Sequence, residues 1–256
     1  MLWREWLSAE DQLKTGRYAC ILAGMRTGSN LLQSYLNQCP GIVCLGELFN
    51  PVFVGVDRPD MEEGGFGGYR RDDVQARDRD RIAFFNRLLA EAGNRELVFR
   101  LFDGHGAWAW RRVMRNRQAR KVVLTRDPLE AYVSLELARA TRQWVLLDSA
   151  DRKVTQIEFN PVDYLAFAQE RATYYSNICG RLEASGQAFV RIDYAELDDL
   201  EAVNRVIDFI CPGQALSALP DTLVRQNPGT LAAKIANYDE VAGFLEARST
   251  RTIRPF

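Results

Sequence analysis

The sequence predicts an α/β fold, a three-layer sandwich with a mainly parallel central sheet. Short apolar runs alternate along the chain with segments of helical period, which is typical of strands connected through helices. Because each parallel connection has to cross over the sheet, the helices of such a chain cover both of its faces. In addition, a glycine-bounded turn follows the first apolar run and leads directly into a helical segment, as it does where α/β proteins hold an anion.

The strands and helices are predicted from hydrophobic period and from their boundaries. Pro128 and Pro161 stand at first-turn positions where proline is favourable, and Asp127 is the expected N-cap of the former helix. Apolar runs bounded by glycine or charge predict strands at 18–23, 42–45, 96–101, 120–125 and 188–192. Helical spacing predicts helices at 29–38, 79–92, 107–118, 128–143, 161–184, 198–209 and 231–247.

The composition is that of a globular protein. At 256 residues the chain can bury a sizeable core, and we expect a single domain spanning residues 1–256. Hydrophobic residues make up 47% of it and charged residues 26%, which are ordinary values. The formal net charge of −1 provides no overall positive field, so we expect no nucleic-acid partner. The arginine-rich run at 111–121 is interpreted as the solvated face of a helix.

Cysteine and histidine usage bounds the chemistry and the compartment. The five cysteines are odd in number and have no C-x-x-C spacing, which predicts reduced thiols in a cytoplasmic protein. With one histidine beside scattered cysteines, we expect no metal site. The first residues lack the apolar run of a signal peptide, and we expect no membrane span.

Residues 51–78 interrupt the alternation of strands and helices. They contain a glycine-rich stretch at 64–69 followed by charged residues, which predicts a long surface-loop insert. Two interpretations stay open, a lid or substrate-selecting insert and a connector without a role. A second irregular segment is predicted at 145–159.

The turn at residues 24–30 is a candidate anion site. A turn between a strand and a helix directs backbone N–H groups and a helix N-terminus toward one point. Arg26 lies inside this turn, where its side chain can reach a second anionic group. The P-loop pattern G-x-x-x-x-G-K-[ST] is absent, and no lysine stands in the turn. The turn therefore predicts a nucleotide ligand other than ordinary ATP.

A second candidate anion site follows the predicted strand at 120–125. Arg126 comes directly after that strand, and Ser134 lies two helical turns further along. A guanidinium and a hydroxyl that converge in this way can hold a phosphate through charge-assisted hydrogen bonds. Two such sites after two strands predict a ligand with two separate anionic groups.

These residues resemble the sulfotransferases that use 3′-phosphoadenosine 5′-phosphosulfate (PAPS). The chain looks most similar to bacterial carbohydrate sulfotransferases of the rhizobial nodulation-factor and trehalose types. Residues 24–30 resemble the 5′-phosphosulfate loop of that family, and residues 126–134 resemble its 3′-phosphate motif. Residues 138–144, 193–197 and 224–226 resemble later elements of the family, in the expected order.

The resemblance implies a P-loop-like sulfotransferase fold that binds PAPS without a metal. Met25 replaces the usual proline of the loop, and Asn30 replaces a hydroxyl residue but can still donate a hydrogen bond. The late element lacks the R-K-G-x-x-G pattern of the cytosolic animal enzymes. The cofactor-binding residues implied are Arg26, Thr27, Gly28, Ser29, Asn30, Leu31, Arg126, Ser134, Tyr194, Arg225 and Gln226.

For catalysis, sulfuryl transfer needs alignment, stabilisation of the leaving phosphate and removal of the acceptor proton. Arg26 is the candidate for the leaving-group oxygens, since its charge is fixed and its donors are forked. Glu47 is the candidate general base, and it matches the glutamate proposed as base in carbohydrate sulfotransferases. His105 is the alternative base. Arg100, at the end of a predicted strand, is expected to assist the transferring group.

The function implied is transfer of the PAPS sulfuryl group to a hydroxyl of a carbohydrate or glycolipid. Two other functions stay open: a non-catalytic module that binds PAP or PAPS, and a small-molecule kinase, which the missing P-loop lysine disfavours. The partner implied is therefore a small-molecule or lipid-linked carbohydrate acceptor. The oligomeric state is left open, and the resemblance allows a homodimer.

Overall fold

A five-stranded, all-parallel sheet forms the centre of the computed structural model, which describes residues 18–56, 65–144, 146, 148–220 and 229–249. The spatial order of the strands is β2-β3-β1-β4-β5. The predicted α/β class is confirmed. The strands are β1 (Tyr18–Ala23), β2 (Ile42–Cys44), β3 (Glu96–Phe102), β4 (Arg120–Thr125) and β5 (Phe189–Asp193).

Eight α-helices occur in the described part of the chain. They are α1 (Ser29–Leu36), α2 (Val74–Arg79), α3 (Arg81–Ala92), α4 (Ala107–Arg115), α5 (Pro128–Thr141), α6 (Pro161–Ala184), α7 (Leu200–Ile210) and α8 (Tyr238–Ser249). Short 3₁₀ turns lie at Phe66–Gly68, Ser149–Asp151 and Tyr194–Asp198. No described helix is both long and apolar enough to pass through a lipid bilayer.

The two faces of the sheet bury alternate residues of the same strand. In β1, Cys20 and Leu22 belong to a core cluster with residues of α3, α4 and α6. Ala19 and Ile21 belong to a second cluster, with residues of α1 and α7 on the opposite face. All six residues of β1 are buried, because a strand covered on both sides has no solvent face. Each fully buried leucine or isoleucine adds about 1.5–3 kcal/mol, so this central strand anchors the elements that carry the site.

The topology places a crevice between the carboxyl ends of β1 and β4. Ala23 lies opposite Leu124 in the parallel register, so the segments that follow both strands begin side by side. The chain leaves β1 toward β2 on one side of the sheet and leaves β4 toward β5 on the other. Ligands bind in α/β proteins at such a switch point. Arg26 and Arg126 lie in the two segments that border it.

A third apolar cluster holds α5, the start of α6 and α8 together. Tyr132 and Tyr164 face each other within it, with ring centroids 5.6 Å apart. Asn160 caps α6 by accepting from the N–H of Val162 at 2.9 Å, directly before Pro161. Asp127 caps α5 by accepting from the N–H of Glu130 at 2.9 Å. Both helix starts predicted from the prolines are confirmed.

The segment 51–78, predicted as a surface loop, is ordered and partly buried where the structure describes it. It contains helix α2, and Val54, Val56 and Phe66 are parts of the core. The predicted helix at 79–92 starts at Arg81 instead, because Asp80 accepts from the N–H of Ala83 at 2.9 Å and so caps α3.

The last predicted helix is also shorter at its N-terminal end. Residues 231–237 are not helical, and α8 begins at Tyr238. Ile157 donates its N–H to the carbonyl of Lys234 at 2.9 Å and accepts from the N–H of Ala236 at 2.9 Å. This bridge between Ile157 and Ile235 uses the Lys234 carbonyl and the Ala236 N–H, which would otherwise form hydrogen bonds within a helix.

Candidate anion-binding and catalytic site

The turn between β1 and α1, residues 24–28, is here called the cradle. Its first residue donates its N–H to the Tyr175 hydroxyl at 3.1 Å. Thr27 is buried and donates its hydroxyl to the carbonyl of Gly24 at 2.8 Å, so its side chain closes the turn from within. The Thr27 hydroxyl is therefore used within the turn, and the part of Thr27 in cofactor binding stays a prediction.

Two left-handed residues give the cradle its shape. Arg26 has φ 66° and Gly28 has φ 86°. A non-glycine residue in this region costs of order 1–3 kcal/mol, and such strain clusters at ligand-binding turns. Gly28 is the N-cap of α1 and has no side chain to accept from the first N–H groups of that helix. An anion in the cradle can take the place of the missing cap.

Tyr194 packs directly against the cradle. A Cβ added at Gly28 would lie 2.5 Å from Cδ2 of the tyrosine, so only glycine allows this approach. The guanidinium of Arg126 lies over the face of this ring, with its Cζ 3.9 Å from the ring centroid. Tyr194 therefore presents an aromatic ring beside the cradle and next to a cation, an arrangement suited to stacking against a nucleobase.

Arg26 connects the cradle to α5. Its Nε donates to the Ser134 hydroxyl at 3.1 Å, and its Nη1 donates to the carbonyl of Trp144 at 2.8 Å. Burial, with a contribution from the nearby charge of Arg126, lowers the pKa of Arg26 to about 10. The negative charge of an anion bound between the two guanidiniums would offset both effects on the pKa of Arg26.

Arg126 forms the other wall of the crevice. Its Nη1 donates to the carbonyl of Arg26 at 3.0 Å, and its Nη2 donates to Glu130 at 3.1 Å. Lys234 is a further cation in this region: burial lowers its pKa, the charge of Glu130 opposes that shift and the charge of Arg126 adds to it. The two sequence motifs therefore meet, with a lysine that the sequence did not single out.

Arg100 is buried beneath the first turn of α1, with 9% of its surface exposed. Its Nη1 donates to the Ser29 hydroxyl at 3.2 Å and to the side-chain oxygen of Asn30. Burial lowers its pKa, and the charge of Glu47 opposes that shift. Its Nε is buried without a hydrogen-bond partner in the described chain. A buried guanidinium with an unused N–H next to an uncapped helix start indicates a place for an anion.

Glu47 and His105 form a hydrogen-bonded pair. Nε2 of the histidine lies 3.2 Å from Oε2 of Glu47, and Asn50 donates to the same oxygen at 2.8 Å. Nδ1 of the histidine accepts from the N–H of Phe102 at 3.1 Å. A nitrogen that accepts carries no proton, so the proton of the neutral ring is on Nε2 and points at Glu47. The sequence offered these two residues as alternatives, whereas the structure couples them.

Glu47 is held as a carboxylate. Burial works to raise its pKa, but the hydrogen bond from His105, the charge of Arg100 and the hydrogen bond from Asn50 together bring it below its ordinary value. Its other oxygen, Oε1, accepts no hydrogen bond from the described residues. The carboxylate therefore has one oxygen fixed by its neighbours and one available for a proton.

A buried arginine that the sequence did not indicate holds the loop around Glu47. Arg77, on α2, is 2% exposed and donates from Nη1 to the carbonyls of Leu48, Asn50 and Phe53 at 3.0, 2.7 and 3.2 Å. Its position within a charged stretch carries no pattern that would have marked it. Gly55 also supports the loop, since a Cβ there would lie 2.2 Å from the backbone nitrogen of Glu47.

The remaining predicted residues are less informative. Leu31 packs its side chain against the core on the α1 side of the sheet, so only its backbone can contribute to a ligand. Arg225 and Gln226 lie outside the described residues. Within the described chain, no cluster of histidine, cysteine, aspartate or glutamate is arranged to hold a metal ion.

Comparisons with known proteins add little to this geometry. No family model matches the chain, and no curated protein matches it. A crystal structure of a sulfotransferase from Alicyclobacillus acidocaldarius is similar with a TM-score of 0.48 and 16% identity, over 93% of this chain and 94% of that one. A likeness this weak carries no argument. The functional conclusion therefore depends on the cradle, the two arginines beside it and the Glu47–His105 pair.

Proposed function

We propose that this protein is a sulfotransferase that moves the sulfuryl group of PAPS to a hydroxyl of a carbohydrate or glycolipid. The products are 3′-phosphoadenosine 5′-phosphate (PAP) and a sulfate ester. The observation that carries the proposal is the meeting of Arg26, Ser134 and Arg126 at an uncapped helix start. Nε of Arg26 lies 3.1 Å from the Ser134 hydroxyl, and the carbonyl oxygen of Arg26 lies 3.0 Å from Nη1 of Arg126. PAPS has two phosphate positions on one nucleoside, which is the charge pattern this crevice suits.

The donor would be held by different groups at its two ends. Arg126 and Ser134 suit the 3′-phosphate, since a forked guanidinium and a hydroxyl can bind the same group of oxygens. The cradle N–H groups and the first turn of α1 suit the 5′-phosphosulfate. Tyr194, which already carries the Arg126 guanidinium, offers its ring to the adenine.

In the chemical step, the acceptor oxygen forms a bond to sulfur while the bond between sulfur and the phosphate oxygen of PAP breaks. We assign Arg26 to the charge that develops on that phosphate oxygen, because its backbone belongs to the cradle. Its guanidinium would have to turn toward the cradle for this, since here it contacts Ser134, at the end of the crevice that suits the 3′-phosphate. Arg100 supports the start of α1 through Ser29 and Asn30 and adds positive charge there. The acceptor proton passes to a carboxylate oxygen of Glu47.

The pairing with His105 supports the assignment of Glu47 as the base. The histidine uses both ring nitrogens, one toward Phe102 and one toward Glu47, so it orients the carboxylate. The charge of Arg100 lowers the pKa of Glu47 before a ligand binds. A donor anion near Arg100 would offset that charge and strengthen the base when the donor is in place.

The test is an acceptor screen with PAPS on the wild type and on the Glu47→Gln and Glu47→Ala variants. We expect turnover to fall about 10²–10⁴-fold in both variants, the size of a lost general base. PAP affinity, measured by isothermal titration calorimetry, should stay within a few-fold. Full activity in both variants would remove Glu47 from the mechanism.

One observation favours a second candidate, a module that binds PAP or PAPS without catalysis. The pKa of Glu47 is lowered, whereas a general base works best with a pKa near the working pH. Transfer of radiolabelled sulfur from PAPS separates the two functions. Tight PAP binding with no labelled product across neutral, acidic and lipid-linked sugars would favour the binding module.

A further inference from the structure

A third arginine, Arg171 on α6, lies on the cradle. Its Nη2 donates a long hydrogen bond of 3.4 Å to the carbonyl of Met25. A Cβ added at Gly24 would lie 1.2 Å from its Nη1, so the guanidinium occupies the space that a side chain at that position would take. Its Cζ also lies 4.9 Å from the ring of Phe167. These contacts place a positive charge against the bare backbone of the first cradle residue.

The guanidinium of Arg171 has donors to spare. A guanidinium carries five N–H groups, and the hydrogen bond that Arg171 makes within the described part of the chain is long and made to a neutral carbonyl. Among the described residues, no carboxylate forms an ion pair with it, whereas Arg126 is paired with Glu130 at 3.1 Å. Met25, to which it bonds, is 42% exposed, so this side of the cradle is open to solvent.

The surrounding charges make an anion favourable at this point. Arg26 and Arg126 already border the cradle, and Arg171 adds a third positive charge to the same turn. An oxyanion beside these guanidiniums would accept charge-assisted hydrogen bonds from them.

We infer that Arg171 is a further anion-binding guanidinium of the site, beside Arg26, Arg100 and Arg126, and that it contacts an oxyanion at the open side of the cradle. The inference rests on the proposed function and extends it. The oxyanion has two possible sources, the sulfonate of the PAPS donor and a carboxylate or sulfate on an acidic acceptor. Arg171 binds it in either case, and the experiment distinguishes the sources.

Two variants remove this contact in different ways. Arg171→Gln removes the charge. Gly24→Ala keeps the charge but displaces the guanidinium, because the new Cβ takes its place. Arg171→Lys keeps a charge without the fork and should restore part of the binding. Arg181→Gln is the matched control, since this arginine is exposed on the same helix.

The measurements are affinities for PAPS and for PAP, and KM and kcat for a neutral disaccharide and for its uronic-acid counterpart. If the donor is the source, Arg171→Gln weakens PAPS binding about 10- to 100-fold and leaves PAP binding unchanged, and Gly24→Ala weakens PAPS binding by a similar factor. If the acceptor is the source, Arg171→Gln raises KM for the acidic disaccharide by a similar factor and leaves KM for the neutral one unchanged.

Other outcomes overturn the inference. If the two affinities and the KM and kcat values for both disaccharides stay as in the wild type, or change equally in the Arg181→Gln control, Arg171 does not bind an oxyanion. Thermal unfolding of the ligand-free variants checks that both fold, and Arg171→Lys repeats the test if Arg171→Gln does not. A wild type that binds neither PAP nor PAPS would refute the proposed function. If the wild type binds PAPS and transfers its sulfuryl group, and the variants have the same affinities and kinetic constants, only the inference about Arg171 is refuted.

Discussion

Replacement of Arg77 by methionine is expected to loosen the loop that carries Glu47. The arginine is 2% exposed and reaches three backbone carbonyls of that loop, those of Leu48, Asn50 and Phe53. It also pairs with Asp78, where the carboxylate is 38% exposed. Methionine fills a similar volume but donates no hydrogen bond, so all three carbonyls lose their charged donor.

The expected loss of stability follows from those contacts. A buried acceptor that loses its donor costs about 1–3 kcal/mol, and water that enters the gap recovers part of it. Three such losses, partly recovered by water, make about 3–5 kcal/mol, which is the value we expect for Arg77→Met. For a chain of this size, that loss corresponds to a fall in the melting temperature of about 6–20 °C.

The same substitution should reduce catalysis, because Asn50 and Glu47 belong to the loop. A shift of about 1 Å in a catalytic group can cost about 10²-fold in rate, and we expect a fall in kcat of that order. Urea unfolding gives the free energy, and sulfuryl transfer from PAPS gives kcat and KM. Arg77→Lys, which keeps a charge, should recover part of both losses.

Arg79→Met is the matched control, since Arg79 lies on the same short helix and is exposed. It should stay within about 0.5 kcal/mol of the wild type. An unfolding free energy of Arg77→Met within 1 kcal/mol of that control would refute a stabilising role for Arg77, because it would mean that the three carbonyl bonds contribute little. Normal kcat in a destabilised Arg77→Met would show that the loop stays in place without this arginine.

Three further predictions concern the site and the core. Ser134→Ala removes the hydroxyl that accepts from Arg26, and PAP binding measured by calorimetry should weaken about tenfold; unchanged affinity would exclude the serine from the donor site. Because the pKa of Glu47 is lowered, kcat/KM should be level from pH 5.5 to 7. His105→Ala removes a hydrogen bond that lowers this pKa, so the fall of kcat/KM on the acid side should move to higher pH. A fall that begins above pH 6 in the wild type would contradict Glu47 as the base. Burial lowers the pKa of Lys121 to about 8, so its charge destabilises the folded state at pH 7 and this penalty is relieved as the pH rises toward the unfolded pKa. The unfolding free energy of the wild type minus that of Lys121→Met should therefore increase by about 1 kcal/mol from pH 7 to 9, and a decrease over that range would show that the lysine is not desolvated.

The fold could be predicted well because its signals are local. The apolar run at 18–23 is a strand over the same residues, since it is buried on both faces. Pro128 and Asp127 predicted the start of α5, because one fixes a backbone angle and the other caps the helix. The helix predicted from 231 failed at its start, because the pairing of Ile157 with Ile235 uses backbone groups from two distant segments.

The site divides in the same way. The cradle, with Arg26 in a glycine-bounded turn, and the Arg126–Ser134 motif could be identified from the sequence, because both follow from residue types at short spacing after a strand. The pairing of Glu47 with His105, the hold of Arg77 on their loop and the contact of Arg171 with the cradle could not, because they depend on the folded chain. The residues are 58 positions apart for Glu47 and His105, 29 for Leu48 and Arg77, and 146 for Met25 and Arg171. The packing of helices on the sheet, not local sequence, brings such residues together.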